Sequence, residues 1–156
     1  MPRIKVETRI AAPAELCFDL ARDIDFHTRS LEHTRERAVA GVTSGLIGLG
    51  ESVTWEAKHL SVRQQLTSKI TEFDAPRYFR DTMTRGAFKR FAHDHFFDEN
   101  SNETVMRDVI DFASPAWIIG WLIDRIFLSS YLRRLIADRG EMIRVEAEKR
   151  VEQRGG

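Results

Sequence analysis

The sequence predicts an α+β domain in which a curved, seven-stranded antiparallel sheet is wrapped around a long C-terminal helix. Three observations predict it. Apolar and polar residues alternate from Glu51 to Phe112, with turn signals at Asp74-Ala75-Pro76, Arg85-Gly86-Ala87 and Glu99-Asn100-Ser101-Asn102. After Ser114-Pro115 the apolar period becomes that of a helix. Before the alternating region, Ala12-Pro13-Ala14-Glu15 and Asp23 each carry the chemistry of a helix start.

In chain order, Ile4, Val6 and Ile10 mark a first strand. Proline suits the first turn of a helix because its missing N–H has no partner to lose there, and Glu15 meets the positive end of the helix dipole. Leu16, Cys17, Phe18, Leu20 and Ala21 supply that short helix with an apolar side. Asp23 caps a second short helix running through Phe26 and His27. A weaker strand follows at 36–41, and then a flexible connection marked by glycines 41, 45, 48 and 50. Their spacing fits neither a Walker A loop nor a dinucleotide motif. Strands are expected at about 50–60, 61–73, 77–85, 88–98 and 103–113. In the last helix Leu128, Leu132, Leu135, Ile136, Met142 and Ile143 continue one stripe, while Arg133, Arg134, Asp138, Glu141, Arg144, Glu148 and Lys149 take other faces. Ser129-Ser130 marks a bend between a short apolar helix and the long one.

Of the 156 residues 42% are apolar, which suffices for one core, and residues 1–154 read as a single domain. Lys+Arg and Asp+Glu number 24 each, so no net field draws the chain to a polyanion and nucleic acid is not an expected partner. The single cysteine, Cys17, allows no intramolecular disulfide, and the alternating N-terminus lacks an apolar leader, so a cytoplasmic setting is the expectation. The most apolar window, Ala116 to Leu128, is shorter than the ~20 residues of a spanning helix and is interrupted by Asp124 and Arg125. A buried helix is the reading, with an interfacial membrane contact as its alternative. Trp117 and Trp121 are one turn apart and belong to the core, or else cap a cavity or join two copies in a homodimer.

Strand alternation also selects an inner face: Val53, Trp55, Ala57; Gln64, Leu66, Ser68, Ile70; Phe79, Asp81, Met83; Phe91, His93, His95, Phe97; and Met106, Asp108, Ile110, Phe112. Among them Ser68, Asp81, His93, His95 and Asp108 are polar groups facing inward. Turn lengths place Asp81 opposite His93, His93 opposite Asp108 and Ser68 facing Asp81, a polar row across an apolar wall. An imidazole between two carboxylates favours its protonated form, and the row would hold a carbonyl or hydroxyl or move a proton. A satisfied ion-pair network, or a solvent-facing row, are the competing readings. His93-x-His95 beside Asp81 or Asp108 also has the makings of a metal pair, but zinc patterns use more ligands, so neither metal nor cofactor is expected. His27, His33 and His59 have no evident partners and are assigned to surface or loops. Cys17 reads as a packed thiol, and Arg133, Arg134, Arg139 and Arg144, interleaved with acids, read as a solvated face.

The order strand, two short helices, six strands, long helix resembles the START-like, or SRPBCC, helix-grip superfamily, which includes pollen-allergen-like carriers and the polyketide cyclase/dehydrase family. The local matches are Ile10-Ala-Ala-Pro13-Ala-Glu15-Leu-Cys-Phe18 with Asp23, Gly50-Glu51-Ser-Val-Thr-Trp55, Asp74-x-Pro76 and Ser114-Pro115. The resemblance implies a cavity between sheet and helix, which here would be lined by Trp55, Leu66, Ser68, Phe79, Asp81, Met83, Phe91, His93, His95, Met106, Asp108, Ile110, Leu132 and Ile136. The expected function is to bind or carry a hydrophobic small molecule, lipid-, sterol- or polyketide-like. One alternative is a cyclase/dehydrase-type enzyme without cofactor, using His93 with Asp81 or Asp108 as acid and base. Another is a membrane-adjacent or regulatory interaction protein that exposes Ala116 to Leu128.

Overall fold

The computed structural model describes residues 3–59, 61–114 and 121–156, and the side-chain surroundings of all of these except 59 and 121–125. The order of elements is β1 (Arg3–Ile10), α1 (Ala14–Ala21), α2 (Ile24–Ser30), a 3-10 turn at Glu32–Thr34, β2 (Arg37–Gly41), β3 (Ser52–His59), β4 (Val62–Asp74), β5 (Tyr78–Arg85), β6 (Arg90–Asn100), β7 (Glu103–Ala113) and α3 (Trp121–Gly155). All seven strands join one antiparallel sheet in the order β1-β7-β6-β5-β4-β3-β2. β2 to β7 form a meander, and β1 closes it by pairing with the last strand, Val6 opposite Asp108.

The starts of α1 and α2 are capped in different ways. Pro13 occupies the N-cap of α1 and has no side-chain cap to offer, so the carboxylate of Glu99 on β6 accepts from the Ala14 N–H at 2.9 Å instead. Asp23 caps α2 as expected, accepting from Phe26 N at 3.0 Å. The glycine-containing stretch after β2 is pinned rather than flexible: Asp23 bridges to Leu46, Ile24 N donates to Gly45 O, and Ile47 is buried. At Gly41, φ is +73° and a Cβ would stand 2.2 Å from the Ser52 carbonyl oxygen, so no side chain fits there.

α3 is continuous through Ser129-Ser130, so the bend expected there is absent. The helix start assigned to Ser114-Pro115 and the placement of Trp117 fall outside the described residues, as does the side chain of Trp121. Leu132, Ile136 and Ile143 are buried, whereas Met142, assigned to the same stripe, is exposed. The helix packs chiefly on β1, α1 and α2. Where it meets β1, Gly140 permits the approach, since a Cβ would lie 2.5 Å from Thr8 Oγ1. No helix among the described residues is long and apolar enough to cross a membrane.

The core has two centres. Ile4, Ile110 and Phe112 pack with Leu132 and Ile136 under α3. The larger centre surrounds Phe18 of α1, which makes edge contacts with Phe73, Phe79 and Phe97 at centroid distances of 5.2, 5.4 and 5.4 Å. Cys17 lies in the same centre, and burial pushes its thiol up to about 11, which makes it packing rather than a nucleophile. Phe18→Ala therefore opens a large void at the junction of helix and sheet. It is expected to cost about 3–5 kcal/mol in urea unfolding, and a loss below 1 kcal/mol contradicts this assignment of the core.

A mainly apolar cavity with two buried polar clusters

Because α3 rests on the β1 side of the sheet, the concave face of β3 to β6 is left partly uncovered. A cavity of about 350 Å³ lies there. Trp55, Leu66, Phe79, Phe91, Ile110, Leu132 and Ile136 line it, as do Ser68, Asp81, His93 and His95. Three residues assigned to the wall are elsewhere. Met106 is buried in the Phe18 centre, Met83 lies against Gly86, and Asp108 sits behind the two histidines.

The inward polar residues meet as a cluster rather than a row. Asp81 is opposite His93, as the turns imply, but His93 is opposite Ile110, and Asp108 faces His95 instead. Ser68 likewise sits opposite Met83, in a β4/β5 pairing that carries register shifts at Thr67/Ser68 and Ile70/Glu72. The side chains close these offsets diagonally. Ser68 Oγ donates to Asp81 Oδ1 at 2.9 Å, His95 Nε2 is 2.8 Å from Asp81 Oδ2, and His93 Nε2 is 2.8 Å from Asp108 Oδ1. His95 Nδ1 is 3.1 Å from the same Asp108 oxygen, though out of line for a good hydrogen bond. The two imidazoles overlap at 3.7 Å, and His95 also stacks on Phe79 at 4.1 Å.

Charge is distributed unevenly. Burial opposes ionisation of Asp81 and Asp108, but their bonds to the histidines outweigh it and hold both carboxyls well below their usual range. Burial also opposes the charged form of His95, yet the close carboxylate of Asp108 and the bond to Asp81 keep it above its ordinary value. His93 goes the other way: burial, then the charge of His95, hold it low and neutral. Of the two imidazoles, the one whose protonated form the paired carboxylates favour is His95 rather than His93.

A second polar cluster lies on the same cavity and corrects two assignments. His27 is not at the surface: it stacks on Trp55 at 4.1 Å, bonds Glu36 at 2.7 Å through Nε2, and is held low by burial and by Arg139. Arg139 is not on a solvated face either, being 6% exposed and lining the cavity. One of its terminal nitrogens donates to the Ala21 carbonyl, while its Nε has no hydrogen-bond partner among the described residues. A signal for both exists in the sequence. His27 shares helical spacing with Ile24 and Leu31, and Arg139 falls on the stripe of Leu132, Ile136 and Ile143.

No family model matches the chain, and no curated protein matches it either. Solved structures do. An aromatase/cyclase from a Streptomyces species superposes with a TM-score of 0.81 at 17% identity, covering 99% of this chain and 98% of that one. A major latex-like protein from Panax ginseng gives 0.70 at 12% identity over 94% and 97% of the two chains. A START superfamily protein from Mycobacterium smegmatis gives 0.64 at 12% identity over 97% of both. The fold is the START-like helix grip. Within it, the sheet is the grip, α3 the gripped helix, and the cavity lies between them.

The two clusters give this helix grip a defined pH response. His93 and His27, depressed in the fold, take up protons on unfolding, so stability falls as pH drops below about 6.5. Below about 4, Asp81 and Asp108 extend the loss, since their unfolded carboxyls also bind protons. His95 acts in the opposite sense: its contribution is complete below about 6.5 and is lost as pH rises through its elevated folded value. Urea unfolding at stepped pH is expected to show a maximum near neutrality with a steep acid limb, and a flat profile from neutral to acid contradicts these charge states.

Proposed function

We propose that the chain binds or carries a hydrophobic small molecule in the cavity between sheet and α3. The observation that carries this reading is the cavity itself, whose volume of about 350 Å³ lies in the range of small-molecule sites and whose wall is mainly aromatic and aliphatic. The similarity to an aromatase/cyclase, a latex-like protein and a START protein supports it at the level of fold. The polar clusters narrow the ligand. A buried guanidinium on the lining and a wall of imidazole and carboxylate favour an apolar body bearing oxygen functions, as in a polyketide, an oxidised sterol or a fatty acid.

Organic extraction of the purified chain followed by mass spectrometry is expected to release such a compound, and an apolar fluorescent dye is expected to bind with one equivalent. Leu135→Trp, on the α3 wall of the cavity, should leave the protein folded and weaken the dye by ~10-fold or more. A chain that yields no compound and binds no dye is not a carrier.

A second reading, a cyclase/dehydrase-type acid/base enzyme, is favoured by one observation: His93 is held neutral at the cavity wall and bonded to Asp108. A neutral imidazole braced by a carboxylate is the state a general base needs. It predicts exchange of the α-protons of a bound 1,3-diketone into deuterated buffer, followed by NMR, and loss of that exchange in His93→Gln. Exchange no faster than in buffer alone removes the reading.

A further inference from the structure

We propose that Asp81, His93 and His95 form a binding site for a divalent transition-metal ion, zinc above all, with its open coordination position turned to the cavity. One donor atom from each of the three residues lies within 4.8 Å of the others. The relevant atoms are the nitrogens that face Asp81 Oδ2, namely His95 Nε2 at 2.8 Å and His93 Nδ1 at 3.9 Å. Two ligand atoms at 2.0–2.1 Å from a tetrahedral zinc stand roughly 3.4 Å apart. The two separations straddle that value, so an ion is accommodated by small side-chain rotations, without moving a strand.

The atoms that point away from this centre are arranged as a metal site requires. A metal-bound histidine typically gives its other ring N–H to a carboxylate, which fixes the ring and raises its basicity. Asp108 Oδ1 lies 2.8 Å from His93 Nε2 and anchors that ring, and it is 3.1 Å from His95 Nδ1, close enough to take that N–H after a small rotation of the ring. The second oxygen of Asp81 accepts from Ser68 Oγ, which leaves Oδ2 for the ion. Phe79 stacks on His95 and holds that ring in place. Two carboxylates in so small a volume also leave excess negative charge, which a dication neutralises while displacing the proton between His95 and Asp81.

Three protein ligands of the His, His, carboxylate type leave a position free for water or an oxygen of a bound molecule, the pattern of catalytic rather than structural zinc. Asp81, His93 and His95 all line the cavity, so that position opens onto it. The assignment uses the cavity as an opening and does not depend on the carrier reading.

The test uses the full chain, stripped with a chelator that is then removed, and titrated calorimetrically with zinc chloride in the absence of organic ligand. One equivalent is expected to bind with a micromolar or tighter dissociation constant, and cobalt(II) is expected to give visible d–d bands of a four- or five-coordinate site. His95→Phe keeps the stack on Phe79 and should abolish both signals in a chain that remains folded by circular dichroism. Asp108→Asn, which loses only the anchor, should weaken zinc ~10–100-fold. Absence of binding at a large excess of zinc by the wild-type chain overturns the proposal, as does unchanged stoichiometry and affinity in His95→Phe, which would place the ion elsewhere. Zinc without dye binding supports the metal site and rejects the carrier. Dye without zinc does the reverse.

Discussion

The seat of α3 on one side of the sheet is the constraint on which everything else in this molecule depends. A helix carrying a single apolar stripe can cover only part of a seven-stranded concave face, and Leu132, Ile136 and Ile143 are committed to β1, β7 and α1. Gly140 lets the helix settle against Thr8 of β1, which tightens it on that side. The β3 to β6 half of the sheet is then left with apolar side chains that the helices roof over without packing directly against them. The space beneath that roof is the cavity.

A partly enclosed apolar space changes what its polar residues can do. In a low-dielectric wall, groups such as Asp81 and His95 must satisfy one another or be costly, and they do so at 2.8 Å. The same pairing shifts two adjacent imidazoles in opposite directions, because His95 lies within 3.1 Å of both carboxylates and its charge disfavours a proton on His93. An imidazole held towards its neutral form, one held towards its charged form and two carboxylates thus lie within a few ångströms of one another. Carrier, acid/base and metal readings all draw on this cluster, which makes it the informative place to mutate.

The second cluster adds direction. Arg139 reaches the cavity from α3 and His27 from α2, so the helical wall presents positive and aromatic character opposite the anionic wall of the sheet. A ligand with oxygen functions meets donors on one side and an acid/base or metal-ready group on the other.

Much of this was legible from local chemistry. Alternation along five strands, the turn residues, Asp23 as a cap and the closing helical stripe are short-range signals, each produced by residues a few positions apart, and they specify the helix grip and the inward face of Ser68, Asp81, His93 and His95. Alternation also tells which side a residue points to, but not which neighbour it meets. The two-residue offset of β6 on β7 decided that Asp108 stands opposite His95 rather than His93. His27 and Arg139 looked like surface residues because charge and imidazole are ordinarily solvated, although their helical spacing matched buried neighbours. Only the packing of α2 and α3 around one cavity took them out of water, with Arg139 bonded to Ala21 from the far end of the sequence and His27 held by Glu36 and Trp55.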